Sequence, residues 1–233
     1  MNPTHGTAQH RHSGRERGAT LVEFVIVSPI AVIVVLSVIQ LGLLFSAKHI
    51  VNEATFVAAR AGAVQNAQVD PMRHALINAL IPFYQDSLDT TPVTRIGKAW
   101  LAAQADLLPL PAPLGNLDLT VLNPNSDVFS DFGLTDSYSC SGHTCIPNDS
   151  LEYRDYSKRG QKTGLTIQDA NALKIRVTYG YQLKVPLMQS LFSGVMCQFP
   201  GVASLSDCLQ YYNRGRVPIV SYAVVQMQTP AWQ

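Results

Sequence analysis

Few side chains in this 233-residue sequence are placed where chemistry would need them, and Glu23 is the one whose position demands a reason. It opens the apolar part of "RERGATLVEFVIVSPIAVIVVLSVIQLGLLF", residues 15 to 45, and from Phe24 to Ala47 there is no Asp, Glu, Lys or Arg. An unpaired charge in hydrocarbon costs about 3 kcal/mol even on the milder insertion scales. A carboxylate in that setting either reaches the membrane boundary or has a cationic mate. In the second case it becomes a register device, because its attraction to an amine strengthens where the dielectric is low.

The other reactive types are weaker candidates. All four cysteines lie in the second half, at Cys140, Cys145, Cys197 and Cys208. In an oxidising compartment, clustered cysteines in even number read as disulfides. Neighbourhood favours Cys140 with Cys145 and Cys197 with Cys208, although four cysteines allow three connectivities. Cys140, His143 and Cys145 could instead hold a metal, but a fourth ligand and the usual spacing are missing. Asp149, Glu152 and Asp155 in "DSLEYRDY" do not follow the calcium-loop spacing, and solvated turn acids are the simpler account. His74 and His143 have no evident nucleophile partner. No Gly-x-Ser-x-Gly, zinc-protease helix or phosphate loop occurs, so the sequence points to no enzyme and calls for no cofactor. A net charge of +1 gives no field that would draw nucleic acid.

These residues are positioned by two different kinds of chain. Charged residues make up only 14% of the sequence, and the deficit is concentrated in the apolar run. Residues 24 to 47 as a helix rise about 36 Å, enough for a 30 Å hydrocarbon core. A cleaved secretory signal would have a shorter apolar region, and cutting after Ala47 would put Phe45 where a small residue belongs. Arg11, Arg15 and Arg17 precede the run, opposed there by Glu16. The positive-inside tendency therefore keeps residues 1 to 18 in the cytoplasm and sends the chain after Lys48 outward. That leader, with His5, His10 and His12, is expected to be unstructured rather than metal-binding. Pro29 is tolerated within a membrane helix, with a bend.

At the junction "RGATLVEF" the residues carry a resemblance. It resembles a type IV prepilin cleavage site, with Gly18 before the cut, Ala19 as the new N-terminus and Glu23 four residues on. The longer stretch to "AARAGA", residues 58 to 63, is similar to the TadE-like family of tight-adherence (Flp) pilus assembly proteins. Those have an RGAAAVEFALVLPLLL-type start and a later AAREGAR-like run. The resemblance covers roughly residues 17 to 64, a little over a fifth of the chain. It implies cleavage after Gly18 by a prepilin peptidase, and a helix whose register in assembly is set at Glu23 and Phe24. It also implies other pilins, an inner-membrane platform and its ATPase as partners, and a place in the bacterial inner membrane or the pilus. Physics supports the same junction: cleavage would free a cationic amine on Ala19 for Glu23 of a neighbouring helix, and Gly18 lets a protease approach closely.

Beyond the membrane the periodicity stays helical. Ile50, Val51, Ala54, Val57, Ala58 and Ala61 form an apolar stripe, suited to packing on the chain's own globular part, on other subunits, or on both. Gly62 is placed to end or loosen this helix near residue 66. A second helix is expected from Asp70 as N-cap and Pro71 to Leu80, stopped by Pro82. From residue 88 the composition shifts to turn formers and short strands. "LDLTVL" (117 to 122) alternates, as does "LKIRVTYGYQLKV", with Leu173, Ile175, Val177 and Tyr179 on one side. "VPIVSYAVVQM" (217 to 227) is apolar enough for a central strand. Residues 123 to 165 read as a long irregular insertion.

The expected fold is α+β: a long N-terminal transmembrane and amphipathic helix, then a small exported domain with an antiparallel sheet. The divisions are a leader at 1–18, cleaved, a span at 19–47, a helical region at 48–81 and the exported domain at 82–233. A minor pilin or pseudopilin of a tight-adherence pilus is the leading function. A type II secretion pseudopilin and a signal-anchored periplasmic binding module or enzyme are the alternatives.

Overall fold

The computed structural model describes residues 16–86, 91–110, 114–135, 140–185, 187–198 and 203–233. Leader residues 1–15, including the three histidines, Arg11 and Arg15, lie outside them. Helix α1 (Glu16–Val64) is continuous through Pro29 and past residue 47. The leader expected to be unstructured to residue 18 is helical at Glu16 to Gly18, and the expectation for residues 1–15 lies outside the described residues.

Helix α2 (Val69–Leu80) packs on the C-terminal half of α1. Its N-cap is Gln68 rather than Asp70; the acid sits in the first turn, where the free amides and the helix dipole favour it. A 3-10 turn at Ile81–Tyr84 follows, with Pro82 near its start. Helix α1 ends in a turn where Asn66 and Ala67 take positive φ and the Gly62 carbonyl accepts the Gln65 and Ala67 amides. Gly62 matters mainly for packing. A Cβ there would come within 2.4 Å of Met72 Sδ and 2.9 Å of Leu173, so glycine lets α2 and the sheet close on α1.

Helix α3 (Pro92–Asp106) falls where only loops and strands were expected. It buries just Ala99 and Ala103, too little of a stripe to stand out in the sequence. The main sheet has strands β1 (Leu117–Asn123), β4 (Ala172–Gln182) and β5 (Arg216–Gln226) in the antiparallel order β1-β4-β5. Leu119 pairs with Val177, and Val177 with Ser221. The alternation in β4 is as expected: Leu173, Ile175, Val177 and Tyr179 are buried against α1 and α2. The central strand is β4, however, and β5 is an edge. Its apolar outer face, with Val220, Tyr222 and Val224, is exposed. Pro218, which has no N–H to give, suits an edge.

The 123–165 segment is more organised than an irregular insertion. It contains helix α4 (Ser126–Phe132) and strands β2 (Leu134–Thr135) and β3 (Thr144–Ile146). Strand β3 also pairs with β6 (Ala231–Trp232), so the C-terminal residues hold it; His143 stacks on Trp232 at 4.7 Å. A short helix α5 (Ile167–Ala170) leads into β4, with Thr166 and Asp169 forming a capping box. Two further helices, α6 (Met188–Gln198) and α7 (Leu205–Gln210), connect β4 to β5.

A group of partly buried polar side chains centres on Asp106. Asp106 accepts from Arg216 at 2.8 Å, Asn116 at 2.8 Å and the Tyr84 hydroxyl at 2.7 Å. Burial, with Tyr179 and Asp106 alongside, pushes the Tyr84 phenol well up. This cluster fastens α3, β1, β4 and β5 together.

Asp131 is a second fastening. Its carboxylate accepts the amides of Lys162 and Thr163 at 3.1 and 2.9 Å and the Thr163 hydroxyl at 2.8 Å. Desolvation works upward on its pKa, but the hydrogen bonds from Thr163 and Lys162 outweigh it and hold the group below 3.8. A depressed folded pKa gives stability that is present above 3.8 and lost as pH falls through the folded value. Amide protection at Lys162 and Thr163, corrected for intrinsic exchange, should therefore fall below that pH. In Asp131→Ala it should already be low at neutral pH; unchanged protection in that variant would remove the fastening role.

Candidate assembly interface

Helix α1 has two halves with different surroundings. From Leu21 to Val35 its side chains are exposed around the whole circumference, Ser28 alone being half-covered. A helix apolar on every side belongs in lipid or inside a large core. No part of the described domain covers this arm. The helix is long and apolar enough to cross a membrane.

Glu23 stands on this arm, exposed, with Phe24 next to it at 71% exposure. Among the described residues it makes no hydrogen bond or ion pair. Gly18 and Ala19 are helical in backbone, one turn before it. If the chain is cut between them, Glu23 becomes the fifth residue of the shortened helix, one turn past its new N-terminus.

The domain meets α1 from Leu36 onward. Positions 36, 40, 44, 47, 51, 54 and 58 recur at spacings of three and four, and all are buried or half-buried. The stripe is turned slightly from the one read in the sequence. Val51, Ala54 and Ala58 are buried as expected, while Val57 is 38% exposed and Thr55, Ala59 and Ala63 are buried instead. This face docks on the chain's own sheet and α2. The "AARAGA" run acquires a physical meaning: Ala58, Ala59, Gly62 and Ala63 are small enough for close approach, and Arg60 points outward over the Phe56 ring at 5.8 Å.

Two contacts fix the height of the domain on the helix. Lys48 donates to the Val220 carbonyl on the outer edge of β5. Gln40 is fully buried, and its Oε1 accepts the Val185 amide at 3.0 Å. Nearby, Ser37 Oγ donates to the Ile33 carbonyl at 2.8 Å and lies 3.7 Å from Met188 Sδ. Sequence reasoning passed over Gln40. The available signal was that it is the only amide side chain between Phe24 and Ala47. An amide in apolar surroundings needs a partner, so an isolated one marks a contact.

The remaining candidates are spread out and locally accounted for. Cys140 is bonded to Cys145 and Cys197 to Cys208, the pairing by neighbourhood. The first disulfide leaves no thiolate beside His143 for a metal. Asp149 pairs with Arg154 at 3.2 Å. Asp155 accepts from the Ser157 amide and hydroxyl at 2.8 and 2.7 Å, which lowers its pKa. Glu152 and His74 are exposed. Nothing brings these groups to one place.

Fold and site together define a chain in which one helix, able to cross a membrane, is also the spine of an α+β domain. Residues 18–60 match the family model described as TadE-like protein, the resemblance that the junction and the Ala-Arg-Gly run carry. No curated protein and no solved structure matches the chain.

Replacing Gln40 by Leu would leave the Val185 amide buried without an acceptor, a loss of about 1–3 kcal/mol. Unfolding of the full chain in detergent micelles should show that loss. A variant as stable as the parent would mean that Gln40 does not hold the domain at its height.

Proposed function

We propose that this chain is a minor pilin or pseudopilin that takes part in assembly of a tight-adherence pilus. The observation that carries the proposal is Glu23, an exposed acid on a bare apolar arm, one helical turn past a Gly18–Ala19 junction. The match over residues 18–60 supports it and favours the tight-adherence machinery over a type II secretion pseudopilin. In this account a prepilin peptidase cuts after Gly18 on the cytoplasmic side of the inner membrane. The amine on Ala19 and the carboxylate on Glu23 then become the charged ends of a helix otherwise made for lipid.

Packing is specified by these two groups. A neighbouring helix that slides out of register leaves one acid and one amine unpaired in low dielectric, and both are strongly disfavoured. Aligned helices pair them. The domain outside the membrane then has a fixed height, because it is fastened to the same helix at Gln40 and Lys48. Platform, ATPase and other pilins act on the arm and the domain faces as the family implies, and the chain performs no reaction of its own.

In cells containing the peptidase, terminal sequencing of the membrane-bound protein should read from Ala19, and a chain beginning at Met1 would contradict the cleavage. Glu23→Gln should be cut and held in the membrane at parental levels while pili are lost. Normal piliation in that variant would sink the assembly role.

A further inference from the structure

The connection from β4 to β5 has a composition unlike the rest of the domain. Between Lys184 and Asp207 the sequence has no Asp, Glu, Lys or Arg. Helix α6 presents Leu187, just before it, with Leu191 and Val195 at intervals of four, and all three are exposed, Leu187 at 66%. In α7, Leu205 is exposed at 77% and Leu209, one turn on, at 52%. The Cys197–Cys208 disulfide ties the two helices into one unit. Leu187, Leu191, Val195 and Leu205 lie in that charge-free stretch, and Leu209 follows the one acid of α7, Asp207; so many exposed leucines have no place in a water-facing loop.

The position of this unit on α1 says what covers it. It touches α1 at Ser37, through Met188, and Val185 just before it donates to Gln40. Counted from Phe24, where the charge-free run begins, the helix rises only about 24 Å to Gln40. That is less than the roughly 30 Å of hydrocarbon a span must cross. The level of Gln40, and with it the start of α6, therefore lies inside the far boundary of the bilayer. The bare arm from Leu21 to Val35 measures about 21 Å and is too short to span alone. The full burial of Gln40 fits this depth, since an amide in lipid must be sheltered; its Oε1 is bonded by Val185, and its Nε2 has no partner among the described residues.

We infer that the α6–α7 unit is a monotopic membrane element, seated in the acyl-chain region of the outer leaflet with its leucine stripes toward lipid. The inference rests on α1 crossing a bilayer, as the proposed function requires. It adds that the domain is partly sunk in the membrane beside its own anchor and is not held clear on a stalk. Interfacial helices gain binding from buried apolar area in this way. The disulfide would keep the two stripes together when the lipid is left behind during assembly.

The test uses the full chain in phosphatidylcholine vesicles whose acyl chains carry a diazirine, at low protein-to-lipid ratio. After photolysis, peptides are mapped by mass spectrometry. Lipid adducts are expected on residues 24–45 and also on Met188–Gln198, with β4 unlabelled. Adducts on α1 without any on α6 would overturn the inference while leaving the span intact. Absence of adducts on α1 as well would overturn the membrane reading beneath it. Cross-links between copies through α6, in place of lipid adducts, would make it a subunit contact and also overturn the inference. Leu191→Glu with Val195→Glu changes only exposed positions. It should remove the α6 adducts and keep those on α1, and persistence of the α6 adducts would count against lipid seating.

Discussion

Hydrocarbon has no groups to offer a polar atom, so each one carried into it must bring or find a partner. Between Leu21 and Ala47, α1 carries two side chains that cannot meet this demand within their own turn of helix, Glu23 and Gln40. Gln40 is answered in part inside the chain: the Val185 amide binds its oxygen and the domain closes over it, while its Nε2 has no partner among the described residues. Glu23 has no answer among the described residues. The proposed assembly role rests on that difference between the two ends of the helix.

The same helix that is bare and apolar enough to cross a membrane at one end is the core of the domain at the other. The change is made by residue size. From Val51 onward the buried face is Ala, Thr and Gly, with Ala58 and Ala59 fully buried and Gly62 against Met72. Small residues bring α2 and β4 close, and buried Met72, Leu76, Ile175 and Val177 supply the apolar area. The C-terminal strand returns to this helix end, where Ala63 accepts the amides of Gln228 and Thr229. Anchor and domain are thus one packed body over most of α1, and a force on the helix is felt directly by the sheet.

Much of this was legible in the residues. The apolar run, the helix through residue 64, α2 and the strand phases of β1 and β4 follow from period and length alone. Glu23 stood out because a charge beside a lipid-like run is rare, and its role belongs to the proposed function. Other features were not. Strand β5 looked central because its outer face has Val220, Tyr222 and Val224, and composition does not tell an exposed apolar face from a covered one. Helix α3 buries only two alanines, so no stripe announced it. Gln40 and the α6–α7 unit were missed for a shared reason. Each is explained by what lies beside it across more than a hundred residues of sequence, and a one-dimensional pattern does not contain that neighbour.

The most direct measurement of the central claim is the distance between the two charges in the assembled state. The chain would be labelled with carbon-13 at the Glu23 carboxyl and packed with neighbours carrying nitrogen-15 at their N-terminal amines. Solid-state NMR dipolar recoupling then reads contacts between subunits alone. A strong coupling across subunits is the expected result, with Glu23 at ion-pair distance from a neighbour's amine. A coupling seen only when both labels are on one chain, or none at all, would contradict the pairing on which the assembly account rests.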